Sequence, residues 1–178
     1  MLRRGVRRIK DCRKVLWLLI VGLFTAVLLY PLLHEWGHSL ATVILGGKVI
    51  EFHLFPLPNV LCDGRSVGNT GLAVVGLCGM LMPFLLSLMC RPKCFTLWYI
   101  VQLVKGISSL AFALSLVSLS GPKYAVHIAD DDILTVLRFW PDGKVLCTVM
   151  MTGLLLLAVY SICRQNPIQQ VCNYFHIK

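Results

Sequence analysis

The stretch "LLYPLLHEWGHSLATVILGG", Leu28–Gly47, decides how the chain is read. It places His34, Glu35 and His38 inside a run that is otherwise lipid-soluble. The run extends over residues 15–45 without a turn residue that would fold it into a hairpin. As a helix rising about 1.5 Å per residue it reaches roughly 46 Å, against a hydrocarbon core of about 30 Å. A single long crossing is expected, kinked by Pro31 just before the histidines.

Working outward, the 178-residue chain is 57% hydrophobic with a mean hydropathy of +0.78, too apolar for an ordinary soluble domain. Three more apolar segments follow, over residues 71–90, 95–119 and 145–163, each near the length that spans a bilayer. The expected fold class is an all-α membrane protein: about four transmembrane helices, with a small β-hairpin between the first two, in one membrane-embedded domain spanning 1–178. The hairpin expectation comes from "GGKVIEFHLFPLPNVLCDGRSVG", where Ile50, Phe52 and Leu54 alternate with Glu51 and His53. Pro56, Pro58 and Asp63–Gly64 punctuate that segment.

The formal net charge of +9 is unevenly spread. Arg3, Arg4, Arg7, Arg8, Lys10, Arg13 and Lys14 crowd residues 1–14, a basic flank before an apolar run that marks the cytoplasmic side and contacts anionic lipid. No aromatic-interleaved basic surface follows, which argues against nucleic acid as a partner. Residues 1–30 lack a small-residue cleavage site before the histidines and are expected to stay in the mature protein. Arg91 and Lys93 mark the "RPKC" turn as cytoplasmic. Four crossings then put both termini inside. The hairpin 46–68 and the connector 120–144 share the outer side, toward which His34–His38 also lie. The eight cysteines fall mostly in or beside apolar segments, and Cys90 and Cys94 form a lone C-x3-C without a second pair, so small buried thiols are expected rather than a zinc ribbon.

Charged groups in a bilayer cost a few kcal/mol each and are usually paired or functional. His34 and His38, spaced i and i+4, share one helix face one turn apart. Two imidazoles so placed can bind one Zn²⁺, and Glu35 beside the first can serve as general base toward water that the ion acidifies. The bland alternative is a pair of hydrogen-bonded histidines inside a bundle.

"HEWGH" in a membrane helix, followed by "GGKVIEFHLFP", resembles the site-2 protease family of intramembrane zinc metallopeptidases. The likeness is greatest to its small bacterial members and covers most of residues 28–90. It implies a zinc metalloprotease that hydrolyses peptide bonds within or beside the transmembrane segment of a protein or peptide substrate, in a bacterial cytoplasmic membrane. It also implies a third, aspartate ligand in a later segment. "ADDDILTVLRFWP" resembles the small-member pattern in which the aspartate precedes a proline by eleven residues, which puts Asp130 in the ligand position. Pro141–Asp142–Gly143 resembles the alternative motif, with Asp142 as ligand, and Asp131 is the remaining candidate. Against these stand an ordinary turn at Asp142 and an N-cap with a first-turn charge cluster at 130–132. His53 and His127 are further candidates, more simply read as strand or surface histidines.

Asn69 is a candidate oxyanion donor, and the strand 48–55 offers an edge to which an unwound substrate can add. Gly71, Gly76 and Gly79 suit close helix packing, and Gln102 and Lys105 interrupt the third helix. Two other classes are carried: a non-proteolytic metal-binding membrane protein that acts as a binding partner, and a transporter. Glu35 argues against the first, since a metal holder does not need it. The lack of an internal repeat argues against the second.

Overall fold

A chain segment in hydrocarbon must satisfy its own backbone hydrogen bonds, so the apolar runs of this sequence have one soluble solution in lipid, the helix. The computed structural model describes residues 2–120 and 132–175, with side chains from Cys12 onward; His127, Asp130 and Asp131 lie outside the described residues. It runs α1 (Leu2–Phe24), a π-helical turn (Thr25–Leu29), α2 (Tyr30–Ile44), β1 (Lys48–His53) and β2 (Asn59–Asp63). Then follow α3 (Gly68–Met89), α4 (Phe95–Ser120), α5 (Asp132–Phe139), a 3-10 turn (Pro141–Gly143), α6 (Lys144–Cys163) and α7 (Pro167–Phe175). Among the described residues four stretches are long and apolar enough to cross a membrane: Cys12–Ile44, Gly68–Met89, Phe95–Ser120 and Pro141–Phe175. The chain is an all-α integral membrane protein whose described residues include one two-stranded antiparallel sheet.

The irregularity expected at Pro31 appears one turn earlier. Proline offers no N–H to the carbonyl four residues back, and its ring crowds that group. The backbone accordingly widens into a π-helical turn over Thr25–Leu29, and Pro31 falls in the first turn of α2, where no N–H is missed. The buried Thr25 hydroxyl donates to the Val21 carbonyl at 2.7 Å. α2 ends in a Schellman motif: the Gly46 N–H donates to Val43 O at 3.1 Å and the Gly47 N–H to Thr42 O at 2.8 Å. That closure needs Gly46 at φ +86°, a left-handed conformation that side chains resist.

The hairpin pairs Lys48 with Asp63 and His53 with Asn59, with a register shift between Val49 and Glu51 that leaves Ile50 unpaired. Every residue of β1 is exposed. The alternation read in Ile50, Phe52 and Leu54 therefore does not mark a face buried by protein; the partly covered strand is β2, which lies against α2.

The core sits among α3, α4, α5 and α6, where Phe84 and Phe112 meet edge to face at 5.4 Å and Ile133 and Val136 of α5 are fully buried. At one end of the bundle Tyr174 of α7 stacks on Phe95 at 3.9 Å, and Lys14 Nζ donates to the Tyr174 carbonyl at 2.9 Å. That end carries Lys14, Arg91 and Lys93. The hairpin and α5 lie toward the other. All the described cysteines are free thiols.

α2 and α3 approach closely at Gly37. A Cβ there would sit 2.3 Å from the Cys78 carbonyl oxygen and 2.9 Å from Met82 Cβ. Neither obstacle can rotate away. Gly37→Ala should therefore destabilise the detergent-solubilised protein by about 1–3 kcal/mol. Gly153→Ala on α6, where a Cβ meets nothing within 4 Å, should be neutral or slightly stabilising. Thermal unfolding of the two variants side by side checks this.

Candidate metal centre

α2 supplies His34 and His38 on the face it turns toward α3. The His38 ring fills the space left by Gly79: a Cβ at that position would lie 2.2 Å from His38 Nε2. Its Nδ1 lies 2.9 Å from the Val75 carbonyl. A carbonyl only accepts, so Nδ1 carries a proton, and Nε2 is the ring atom turned to the interior, where the neutral ring offers it as a ligand. Nε2 of His34 is 3.2 Å from it.

The third member comes from α5. Asp132 opens that helix, with Oδ2 at 3.0 Å from His34 Nε2 and Oδ1 at 3.3 Å from His38 Nε2. Gly76 of α3 makes this approach possible, since a Cβ there would lie 3.1 Å from Val136 Cγ2 and 3.4 Å from the Asp132 carbonyl oxygen. Burial pushes the Asp132 carboxyl up, but the facing His34 and His38 rings outweigh it and hold the group down at about 2. Asp132 is thus a carboxylate at neutral pH.

Two imidazole nitrogens and a carboxylate in mutual contact gather lone pairs that a proton or a metal ion between them offsets. Protons on both imidazoles would do so, but would set two cations side by side, with ring centroids 4.8 Å apart. One metal ion satisfies all three at once. A tetrahedral ion with ligand bonds of about 2.0–2.1 Å has ligand–ligand edges of about 3.3 Å. The two imidazole nitrogens stand 3.2 Å apart, close to one such edge, and each faces its own oxygen of the Asp132 carboxylate, at 3.0 and 3.3 Å. The donor set of two imidazoles and a carboxylate suits Zn²⁺ and leaves a fourth position. The Val75 carbonyl orients His38 in the manner of outer partners that fix a ligating imidazole.

Glu35 follows His34 on α2 and is half-buried, on the side of the helix near Val60 of β2. It is held beside the histidines but outside their cluster. Among the described residues His34, His38 and Asp132 form the one group able to hold a metal ion. Asp142 is exposed on the 3-10 turn and is not part of it. Asp130 and Asp131 lie outside the described residues. His53 is on exposed β1, paired with Glu51 at 2.8 Å.

Asp132 belongs to the same aspartate run as Asp130 and Asp131, and the run's composition does not separate the three. The structure places Asp132 at the start of α5, one turn before buried Val136 and facing both histidines.

No family model matches the chain, and no curated protein or solved structure is significantly similar to it.

Gly79→Ala should displace the His38 ring and weaken binding of Zn²⁺ by about ten- to a hundredfold, the range for disturbing a ligand's support. Titration of the metal-stripped protein with Zn²⁺ against a chromophoric chelator measures it.

Proposed function

We propose that the protein is a zinc-dependent intramembrane endopeptidase of the site-2 protease kind, cleaving peptide bonds within or next to transmembrane segments. The observation that carries this reading is the convergence of His34, His38 and Asp132, whose ligand atoms lie within 4.8 Å of one another in a membrane protein, with Glu35 next to His34 in sequence. His34, His38 and Asp132 would hold the ion, which supplies Lewis acidity to a water and to the scissile carbonyl. Glu35 takes the proton of the attacking water and returns it to the leaving amine.

The hairpin supports a substrate route. Val60 brings β2 near Glu35, and β1 has no second strand partner among the described residues on the other side of the sheet. A helical substrate must unwind before its carbonyls become accessible, and an exposed strand edge offers the backbone partners that an unwound segment needs. The exposed Phe55 and Leu57 of the hairpin suit a position against lipid. The basic end with Lys14, Arg91 and Lys93 is the cytoplasmic one in this reading, which places the metal centre toward the outer face of a bacterial cytoplasmic membrane.

The test combines composition and turnover. Protein purified in detergent without chelators should carry about one zinc per chain, lost in His34→Ala. Co-reconstituted with single-span peptides, wild type should cleave at least one of a diverse set. Glu35→Gln should retain the zinc and lose activity by about 10²–10⁴-fold, the usual worth of a general base. Zinc retention with no cleavage by wild type would favour the non-proteolytic metal-binding protein. Absence of zinc would refute the metallopeptidase reading.

A further inference from the structure

Away from the metal centre, a cavity of about 400 Å³ opens between the C-terminal ends of α3 and α6 and the first half of α4. Its polar lining is Lys105, Tyr160, Ser161, Arg164 and Gln165. Lys105 is 2% exposed, an uncommon state for a lysine. Its Nζ donates to Ser161 Oγ at 2.8 Å, one partner for three N–H donors. No ion pair is formed by Lys105 or Arg164 among the described residues. The described carboxylate side chains, Glu35, Glu51, Asp63, Asp132 and Asp142, belong to α2, the hairpin, α5 and the turn that follows it.

The remaining groups reinforce this donor character. Ser161 already accepts from Lys105, so its O–H is left to donate. Gln165 Oε1 accepts from Gln102 Nε2, which leaves the Gln165 amide N–H₂ as donor. Tyr160 adds a phenol and Arg164 a planar fork of N–H groups. The cavity therefore collects two cations and several neutral donors with no described carboxylate to balance them. Burying an ammonium without a counter-charge is costly, and an anion in the cavity removes that cost.

Placement narrows the anion. Lys105 lies ten residues into α4, about 15 Å along the axis from Phe95. Side chains on a helix lean toward its N-terminus, so the Lys105 stem points to the Phe95 end, where Lys14, Arg91 and Lys93 also lie. The cavity sits where α6 ends and the chain turns at Arg164–Asn166, Asn166 having φ 46°. A tetrahedral oxyanion with several acceptor oxygens matches a wall of converging donors better than a monatomic ion.

We propose that this cavity binds a phosphate group, carried by an anionic membrane lipid or free in solution. Lys105 and Arg164 supply the charge, and Ser161, Tyr160 and Gln165 the neutral hydrogen bonds. The site is independent of the metal centre.

The test is ligand-dependent thermal unfolding of the delipidated full chain in neutral detergent, with three additives: inorganic phosphate, phosphatidylglycerol, and diacylglycerol as a phosphate-free lipid. The proteins are wild type, Lys105→Met and Arg164→Gln. Phosphatidylglycerol should raise the wild-type midpoint while diacylglycerol does not, and each substitution should weaken the apparent affinity by about tenfold. An equal effect of inorganic phosphate would identify the free anion as sufficient; its failure beside phosphatidylglycerol would identify the lipid. The proposal is overturned if neither phosphate-bearing additive stabilises wild type. It is equally overturned if phosphatidylglycerol stabilises wild type and Arg164→Gln alike, which would reflect only the basic flank. Arg164 is exposed, so that variant decides the matter even where Lys105→Met does not fold.

Discussion

The close approach of α2 to α3 is the constraint on which the rest of the site depends. At Gly37 it brings the α2 backbone against the Cys78 carbonyl, and at Gly79 it opens the only room the His38 ring has. The same approach puts Nδ1 of His38 on the Val75 carbonyl, which sets the tautomer and aims a lone pair inward. In a membrane, where apolar surface gains little from leaving lipid, such contacts depend on small residues and on interhelical hydrogen bonds. The glycines of α3 are therefore part of the ligand geometry as well as of the packing. Gly76, one turn before Gly79, performs the matching task for α5 and seats Asp132.

The electrostatic problem posed by His34, Glu35 and His38 is resolved by gathering. A lone carboxylate buried against a helix bundle would be expensive, but Asp132 meets two imidazoles at 3.0 and 3.3 Å and stays ionised. The bundle separates its charges: the described carboxylates lie with the metal centre, the hairpin and α5, while Lys105 and Arg164 line a cavity toward the basic end. Each concentration of one sign calls for a ligand of the other.

Much of this architecture was legible in the residues. Four spans, the hairpin after Gly46–Gly47 and the facing of His34 and His38 follow from apolar run lengths, turn residues and the i, i+4 interval. The third member of the cluster was harder to read. Resemblance favoured Asp130, and the composition of the run did not discriminate among three adjacent aspartates. The structure brings Asp132 to the histidines as Ile133 and Val136 pack α5 into the core, while Asp130 and Asp131 lie outside the described residues. The π-helical turn before Pro31 and the seating of His38 on Gly79 were not legible, since both are responses of one helix to another, and sequence spacing encodes no interhelical distance.

The central claim is that His34, His38 and Asp132 close around a single ion. Visible absorption of the cobalt(II)-substituted protein tests it most directly, because four-coordinate cobalt absorbs intensely where six-coordinate cobalt is pale. Wild type and Asp142→Ala should show the same intense band at one cobalt per chain, and Asp132→Ala should lose it. A pale spectrum in wild type, or an unchanged band in Asp132→Ala, would contradict the account.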